Sequence, residues 1–514
     1  MTRPTPPIDW GLPVGELTDV FEVGGASELS DSVIEQLRAT GATVSTADDI
    51  RAEASRDWWP LAQRWALEGR APARPAAVVT PTTTAQVSAL LRLANKARIP
   101  VTPAAGRSGV CGSSVPLFGG IALDCCGLSG VSSVDDASLL VTVAAGTFGP
   151  DLETQLTDRH GLTIGHWPQS MALATVGGWI ACRGAGQYSP RYGKIEDIVA
   201  GLEVVLADGR VVRTGALAGA GPRSAMGPDL TQLFVGSEGT LGVITAAALR
   251  AHPVAGHQVR AAFGFASFEK GLEALRATLR LGATPAVVRL YDKRESGRSF
   301  EIGDANVLIV LDEGHAPVID AAMSVLSAAC IDNGASPLPD SLVETWLGHR
   351  NDVSALASVT RAGIVVDTIE VAAPWSELAA LYRDALDGLN GIDGCLAASA
   401  HESHAYLDGA CLYFTFAGRG PDPSDDKWAE DYYRRSWEEV MGATRRHRGS
   451  ISHHHGIGLV RGPYLADALG EGFSVLESLK AALDPVGILN PGKLGLSSPF
   501  GDASTFMTSS HSCP

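Results

Sequence analysis

From residue 77 onward, short apolar runs alternate with stretches of helical period. Ala77-Val78-Val79 reads as a strand. Behind it Thr83 and Gln86 form a capping box, and Val87, Leu90, Leu91 and Ala94 recur at i, i+3, i+4 and i+7, which predicts a helix. Ile99-Pro100-Val101-Thr102 predicts the next strand, and residues 203–212 predict a hairpin turning at Asp208-Gly209. Beyond residue 255, strand-like runs at 261–265, 306–311 and 363–367 alternate with helical stretches at 268–281, 317–330 and 375–389. That grouping predicts an α+β substrate domain with an antiparallel sheet. A polar helix is expected around 431–441, after a loop at 420–426. Ahead of all this, residues 29–41 read as one amphipathic helix ending at glycine and Trp58-Trp59 as core packing, a lead-in without functional signal.

A proline-rich joint at residues 71–75 divides that lead-in from the next unit. The expected organisation is an N-terminal lead-in (1–72), a first globular domain (73–254), a substrate or cap domain (255–450), and a C-terminal segment (451–514). At 514 residues, 45% hydrophobic and 19% charged, the composition is that of a globular protein, with no run near the roughly 18 apolar residues a membrane helix needs. Met1 to Pro7 precede no apolar core of a secretory leader. The formal charge of −17 disfavours nucleic acid as a partner, while leaving room for a locally basic site for an anionic ligand. Eight scattered cysteines without metal-ligand spacing make a reducing cytoplasm the expected compartment.

Candidate chemistry sits in loops of small residues. Pro103-Ala104-Ala105-Gly106-Arg107-Ser108-Gly109 leaves a strand, and its backbone amides suit either a phosphate cradle or an ordinary turn. Residues 164–179, including Gln169, Ser170, Ala174 and Thr175, form a second such loop, and Gly236-Ser237-Glu238-Gly239-Thr240-Leu241-Gly242-Val243-Ile244-Thr245 a third. Near the C-terminus His453-His454-His455-Gly456-Ile457-Gly458 gathers three of the thirteen histidines.

The set Pro-x-x-Gly-x-Ser-Gly, Ala-Thr-Val-Gly-Gly, Tyr-Gly-x-x-Glu-Asp and Gly-Ser-Glu-Gly-Thr-Leu-Gly-Val-Ile-Thr resembles the FAD-binding domain of the vanillyl-alcohol-oxidase superfamily, over roughly residues 73–254. The resemblance implies a PCMH-type α+β fold, with the FAD pyrophosphate on residues 103–109. Further contacts are implied from residues 169–175, from Cys182, Arg183, Gly184 and Ala185, and from residues 238–244. No Gly-x-Gly-x-x-Gly opens a βαβ unit, so a Rossmann mode is not expected. Relatives that tether the flavin use a histidine in the first loop; this loop has none, which implies non-covalent FAD. Where many relatives carry a run of glycines, Ala104-Ala105-Gly106-Arg107 implies a different shape at the loop's start, with Arg107 either on a phosphate or in solvent.

The pattern His453-His454-His455-Gly456-Ile457-Gly458 is similar to that of the alkyldihydroxyacetonephosphate synthase family, as are Asp408-Gly409-Ala410-Cys411-Leu412-Tyr413-Phe414, Val288-Arg289-Leu290-Tyr291-Asp292 and His349-Arg350-Asn351-Asp352. In that family the flavin N5 captures the dihydroxyacetone phosphate carbon, a fatty carboxylate leaves and a fatty alcohol enters, making an ether lipid. The resemblance implies Tyr413 as the base, Arg350 as the group holding the departing carboxylate, and Arg289 as a second cation. On an extended segment His453 and His455 would enter the site together, with His454 supporting from the other face. Other readings stand beside these: Arg289 and Arg350 as interface ion pairs, Tyr413 as core, and His401-Glu402-Ser403-His404 as a metal set of the kind found in hydroxy-acid dehydrogenases. No metal is expected at the triple histidine, because no carboxylate or cysteine accompanies it in sequence. The charged residues 422–435, placed near the entrance, and the absence of a peroxisomal address at Cys513-Pro514 speak against a long lipid, so a smaller substrate and an FAD-dependent dehydrogenase or oxidase of a 2-hydroxy acid or alcohol form the alternative. A small-molecule or lipid-like substrate is expected, with peripheral membrane contact and a homodimer both left open.

Overall fold

The computed structural model describes residues 8–21, 28–352, 359–422 and 424–503. The readings made on residues 1–7 and on Cys513-Pro514 lie outside the described residues.

Three sheets carry the architecture. The first has four strands in the order Thr43–Ser45, Ala77–Thr80, Ile121–Asp124 and Val101–Ala104, the last three mutually parallel. Its outer strand comes from ahead of the proline joint, so the lead-in belongs to this layer. The helix Thr84–Ala97 covers it with Val87, Leu90, Leu91 and Ala94, packed on Val101, Ile121 and Leu123. Thr83 caps Gln86 N as expected, but the Gln86 side chain accepts from Thr82 N at 2.7 Å, one residue upstream of a standard box. The second sheet is antiparallel, in the order Val211–Arg213, Val199–Val205, Val243–Arg250, Leu140–Ala144 and Val131–Asp135. The Asp208-Gly209 turn closes its first hairpin, with Gly209 at φ +82°.

The third sheet has seven strands, in the order Ser336–Leu338, His257–Phe265, Asn306–Gly314, Val287–Tyr291, Cys395–Ala405, Gly409–Gly418 and Val365–Pro374, and every neighbouring pair is antiparallel. One face packs Phe265, Leu290, Leu308, Leu412, Phe414 and Phe416 against the helices Phe268–Arg280, Ala316–Asp332, Trp375–Asn390 and Asp426–Arg446. The alternation of side chains along a strand then turns Tyr413 and Thr415 to the opposite face, which looks into a cavity.

Two connections lock the layers together. Trp59 Nε1 donates to Tyr433 Oη at 2.9 Å, Trp65 Nε1 donates to Glu430 at 2.7 Å, and Arg64 pairs with Asp426 at 2.9 Å. These contacts engage the acidic start of the helix Asp426–Arg446. None of the described residues between 422 and 435 lines the cavity, contrary to the entrance position expected for them. At the other end of the chain, Asp484 collects the amides of Gly487, Ile488 and Leu489, Leu489 bridges to Val101, and buried Lys493 donates to Val115 O at 2.7 Å. Among the described residues no helix is long and apolar enough to cross a membrane.

Candidate active site

The cavity between the loops and the seven-stranded sheet measures about 1240 Å³. A ligand pocket commonly holds roughly 300–1,000 Å³, so this one has room for a cofactor and a substrate together. Pro103 to Gly109, Gln169, Ser170, Ala174, Thr175, Cys182, Gly184, Ala185, Glu238, Gly239, Gly242, Val243 and Ile244 all line it. Three expected contacts do not. Arg183 turns outward to pair with Glu196 at 3.2 Å, Thr240 spends its hydroxyl on Ser237 O, and Leu241 is buried in the core of the second sheet.

Close backbone approach explains the composition of these loops. A Cβ on Gly106 would lie 1.9 Å from Leu173 O, so the first and second loops touch main chain to main chain only because residue 106 is glycine. Ala104 and Ala105 have ordinary negative φ, and the left-handed turn falls on Arg107 at φ 52°. The alanines therefore sit where no left-handed backbone is required of them. Arg107 faces the cavity, not solvent, and its Nε and Nη2 are buried without a partner. Two guanidinium N–H groups left open beside a loop of small residues are what a phosphate would satisfy, so the residues present fit a dinucleotide cofactor.

Across the cavity, the histidine segment is a turn and not a strand, because two buried carboxylates organise its amides. Glu370 accepts from Ser452 Oγ and His455 N at 2.9 Å each and also from His453 N. Glu238 accepts from Ile457 N at 2.6 Å and Gly458 N at 2.8 Å, so its carboxylate shapes this turn even though the residue lines the pocket. Gly456 and Gly458 take φ +81° and +54°, which alternation along a strand does not allow for. As a consequence His454 and His455 line the cavity while His453 does not, reversing the expected pairing of His453 with His455. Arg461, fully buried, balances Glu370 at 3.1 Å and stacks on Trp437 at 4.9 Å. Burial alone would raise the Glu370 pKa, but Arg461 and the three histidines outweigh it and hold the carboxyl well below the carboxylate range.

Tyr413 Oη accepts from Thr368 Oγ1 at 3.1 Å and lies 3.3 Å from His455 Nε2. Burial pushes the phenol up and holds His455 down at about 4. The pair is therefore a protonated tyrosine beside a neutral imidazole. Tyr413 stacks on His401 at 4.9 Å, and His401 is fixed from both sides: Arg289 Nη2 donates to Nε2 at 2.6 Å, and Nδ1 meets Glu295 at 2.7 Å. Arginine can only donate, so His401 carries its proton on Nδ1. Both ring nitrogens of His401 are thus engaged by protein side chains, and its ring is fixed against Tyr413. His404 Nδ1 is likewise engaged, by Ser189 Oγ at 2.8 Å. Glu402 points into the core side of its strand, where burial raises its carboxyl to about 8. Arg289 and Arg350 both reach the cavity; Arg350 lies against Tyr188 and Trp346 at 5.3 and 5.4 Å and donates to Gln187 at 3.2 Å.

Several residues of the site carried no signal in sequence. Glu370 and Cys411 come within 4.8 Å of His453 and His454 in ligand-atom terms, so a carboxylate and a thiol do accompany the triple histidine in space. His166, fully buried against Trp179 with both ring nitrogens unpartnered, lines the cavity, and burial holds it at about 3. Arg298 lines it too, and so does Trp58, which gives the lead-in a wall of the cavity that its sequence did not announce.

Glycine-lined loops with open phosphate donors, facing a polar cap of tyrosine, histidine and arginine, define a flavin-dependent enzyme. A model of the FAD-binding domain matches residues 75–215, and a model of the C-terminal domain of FAD-linked oxidases matches residues 255–494. The chain is 31% identical to the FAD-linked oxidoreductase YgcU of Escherichia coli (strain K12), over 82% of this chain and 89% of that one. It is 28% identical to the alkyldihydroxyacetonephosphate synthase of Dictyostelium discoideum, over 82% and 73% respectively. A solved structure of an alkyldihydroxyacetonephosphate synthase superposes with a TM-score of 0.77 at 23% identity, covering 95% of this chain and 90% of that one. The chain belongs to the FAD-linked oxidase family, and FAD is its cofactor.

Proposed function

We propose that this FAD-dependent enzyme exchanges the acyl group of an acyl-dihydroxyacetone phosphate for a fatty alcohol, as its relatives named alkyldihydroxyacetonephosphate synthase suggest. The observation that carries the reading is Tyr413 Oη, 3.3 Å from a neutral His455, on a cavity wall shared with Arg289 and Arg350. When bound, FAD supplies an electrophilic N5 atom; Arg107 and the loops at residues 103–109 and 169–175 would hold its phosphates without a covalent link. Tyr413 takes a proton from the substrate carbon as its own passes to His455 Nε2, a concerted transfer that avoids forming a buried phenolate. Thr368 keeps the oxygen oriented. Arg350, held between two aromatic rings, presents its planar fork to the departing carboxylate, and Arg289 and Arg298 add positive charge for a phosphate. The likeness to YgcU favours an oxidoreductase, and the 29% identity to the glycolate oxidase subunit GlcD of Bacillus subtilis (strain 168), over 82% of this chain and 89% of that one, favours as a second reading oxidation of a 2-hydroxy acid or alcohol.

One experiment separates them. The yellow holoenzyme is given acyl-dihydroxyacetone phosphate and labelled fatty alcohol with no electron acceptor, and a parallel anaerobic sample is given hydroxy acids. Label entering the lipid with the flavin colour unchanged supports the exchange; bleaching by a hydroxy acid with no label incorporated overturns it in favour of oxidation.

A further inference from the structure

A chain of hydrogen bonds leaves the cavity wall at one histidine and returns to it at another. His404 and His454 both line the cavity. His404 Nδ1 lies 2.8 Å from Ser189 Oγ, Ser189 Oγ 3.0 Å from Tyr406 Oη, Tyr406 Oη 3.1 Å from His453 Nε2, and His453 Nδ1 2.9 Å from His454 Nδ1. Each member is both donor and acceptor, which is what distinguishes this chain from the Glu295–His401–Arg289 array, where arginine can only donate. Two protonation patterns satisfy every link. In one, His404 Nδ1–H donates to Ser189, Ser189 to Tyr406, Tyr406 to His453 Nε2, and His453 Nδ1–H to His454 Nδ1. In the other, every donor and acceptor is exchanged.

We propose that His404, Ser189, Tyr406, His453 and His454 form a proton relay that serves the flavin cavity, and that Tyr406 is the positioning residue at its centre. The inference rests on the flavin-enzyme reading of the site but not on which substrate is used. A proton taken up at His454 Nε2 shifts each hydrogen along by one link and releases one from His404 Nε2, and the return follows the same path. No electron moves and no charge is left behind. The groups facing the relay fit that task. The Glu370 carboxylate stands 3.8 Å from His454 Nδ1 and favours a passing imidazolium, and Lys194 Nζ fixes the backbone of His453 by donating to its carbonyl at 2.6 Å. Cys411 lies in the same cluster, Tyr413 stacks beside His454, and His455 meets it edge to face. The Tyr406 ring packs on His453 at 5.5 Å, so phenylalanine can replace it without leaving a void.

The test uses reduction of the bound FAD, which consumes a proton whatever the natural substrate. Reduced methyl viologen, which gives up its electron without releasing a proton, and the holoenzyme are mixed anaerobically in a stopped-flow cell with a pH-indicating dye, and flavin bleaching and proton uptake are followed together. Tyr406→Phe is expected to keep its FAD and visible spectrum while proton uptake slows at least about tenfold and its solvent deuterium isotope effect changes. Uptake at the parent rate with FAD retained would overturn the relay. Should Tyr406→Phe lose FAD, Ser189→Ala breaks the adjacent link, and parent-like uptake in that variant overturns the relay equally. Failure of the alcohol-exchange assay alone removes the proposed substrate and leaves this result standing, so the two failures are distinguishable.

Discussion

Glu370 and Arg461 meet at 3.1 Å with neither side chain exposed to solvent, and the turn that carries the three histidines is built on that pair. Arg461 also donates to Gly456 O, Glu370 O and Cys111 Sγ, so one guanidinium ties the histidine turn, the last strand of the cap sheet and the loop after the first flavin-binding segment together. Removing one partner of a buried pair strands the other. Glu370→Ala should cost roughly 3–5 kcal/mol of stability, read by urea denaturation of the holoenzyme. A loss under 1 kcal/mol would mean that the turn holds its shape without the pair.

Tyr413→Phe removes the hydroxyl between Thr368 and His455 and keeps the ring stacked on His401. Turnover should fall by about 10²–10⁴-fold, with FAD content unchanged. The check is the exchange assay beside the visible spectrum of the same sample, and activity within a few-fold of the parent removes the base role.

Gly106 and Gly109 stand three residues apart in one loop but face different neighbours. A Cβ at residue 106 meets Leu173 O at 1.9 Å, whereas at residue 109 the nearest atom is Asp57 Oδ2 at 3.5 Å. Gly106→Ala must move backbone, at about 1–3 kcal/mol, and FAD titration should show binding weakened roughly ten- to a hundredfold. Gly109→Ala should keep the stability of the parent apoprotein, and equal stabilities for the two variants would contradict the loop contact.

Acid should loosen the fold partly through its neutral buried histidines. Burial depresses His166 to about 3, below the roughly 6.5 of an unfolded histidine. The unfolded chain therefore binds the proton first, and the stability held above pH 6.5 is lost as pH falls toward 3. His166→Gln removes that proton, so between pH 6 and 4 the variant should lose stability less steeply than the parent, by up to about 1.4 kcal/mol per pH unit. Parallel curves in denaturation at several pH values would show that His166 does not titrate on unfolding.

Much of the fold was legible because local patterns and long-range packing agreed. The helix after Thr83, the Asp208-Gly209 hairpin and the runs at residues 261–265 and 306–311 all fall inside observed elements. The strand Cys395–Ala405 gave little signal: its residues are small, polar or ionisable and nearly all buried, so neither alternation nor an apolar run marks it. The entrance assigned to residues 422–435 failed for a related reason, since charge density says that a segment is solvated or paired without saying against what.

By itself the sequence determined the cofactor loops, because glycines and small residues at close-approach positions are a local requirement of main chain meeting phosphate or main chain. The resemblance carried by its motifs implied too that Tyr413, Arg289, Arg350 and the histidines share a site, and the structure brings all of the triple-histidine run but His453 to the cavity wall with them. Only the tertiary structure decided how they face. Glu370, 83 residues from His453, and Glu238, more than 200 residues away, pull the histidine segment into a turn by capturing its amides, and so bring His454 and His455 to the cavity and direct His453 toward Tyr406. A buried carboxylate takes its donors from whatever the fold brings within reach, and no pattern along the chain records which amides those will be.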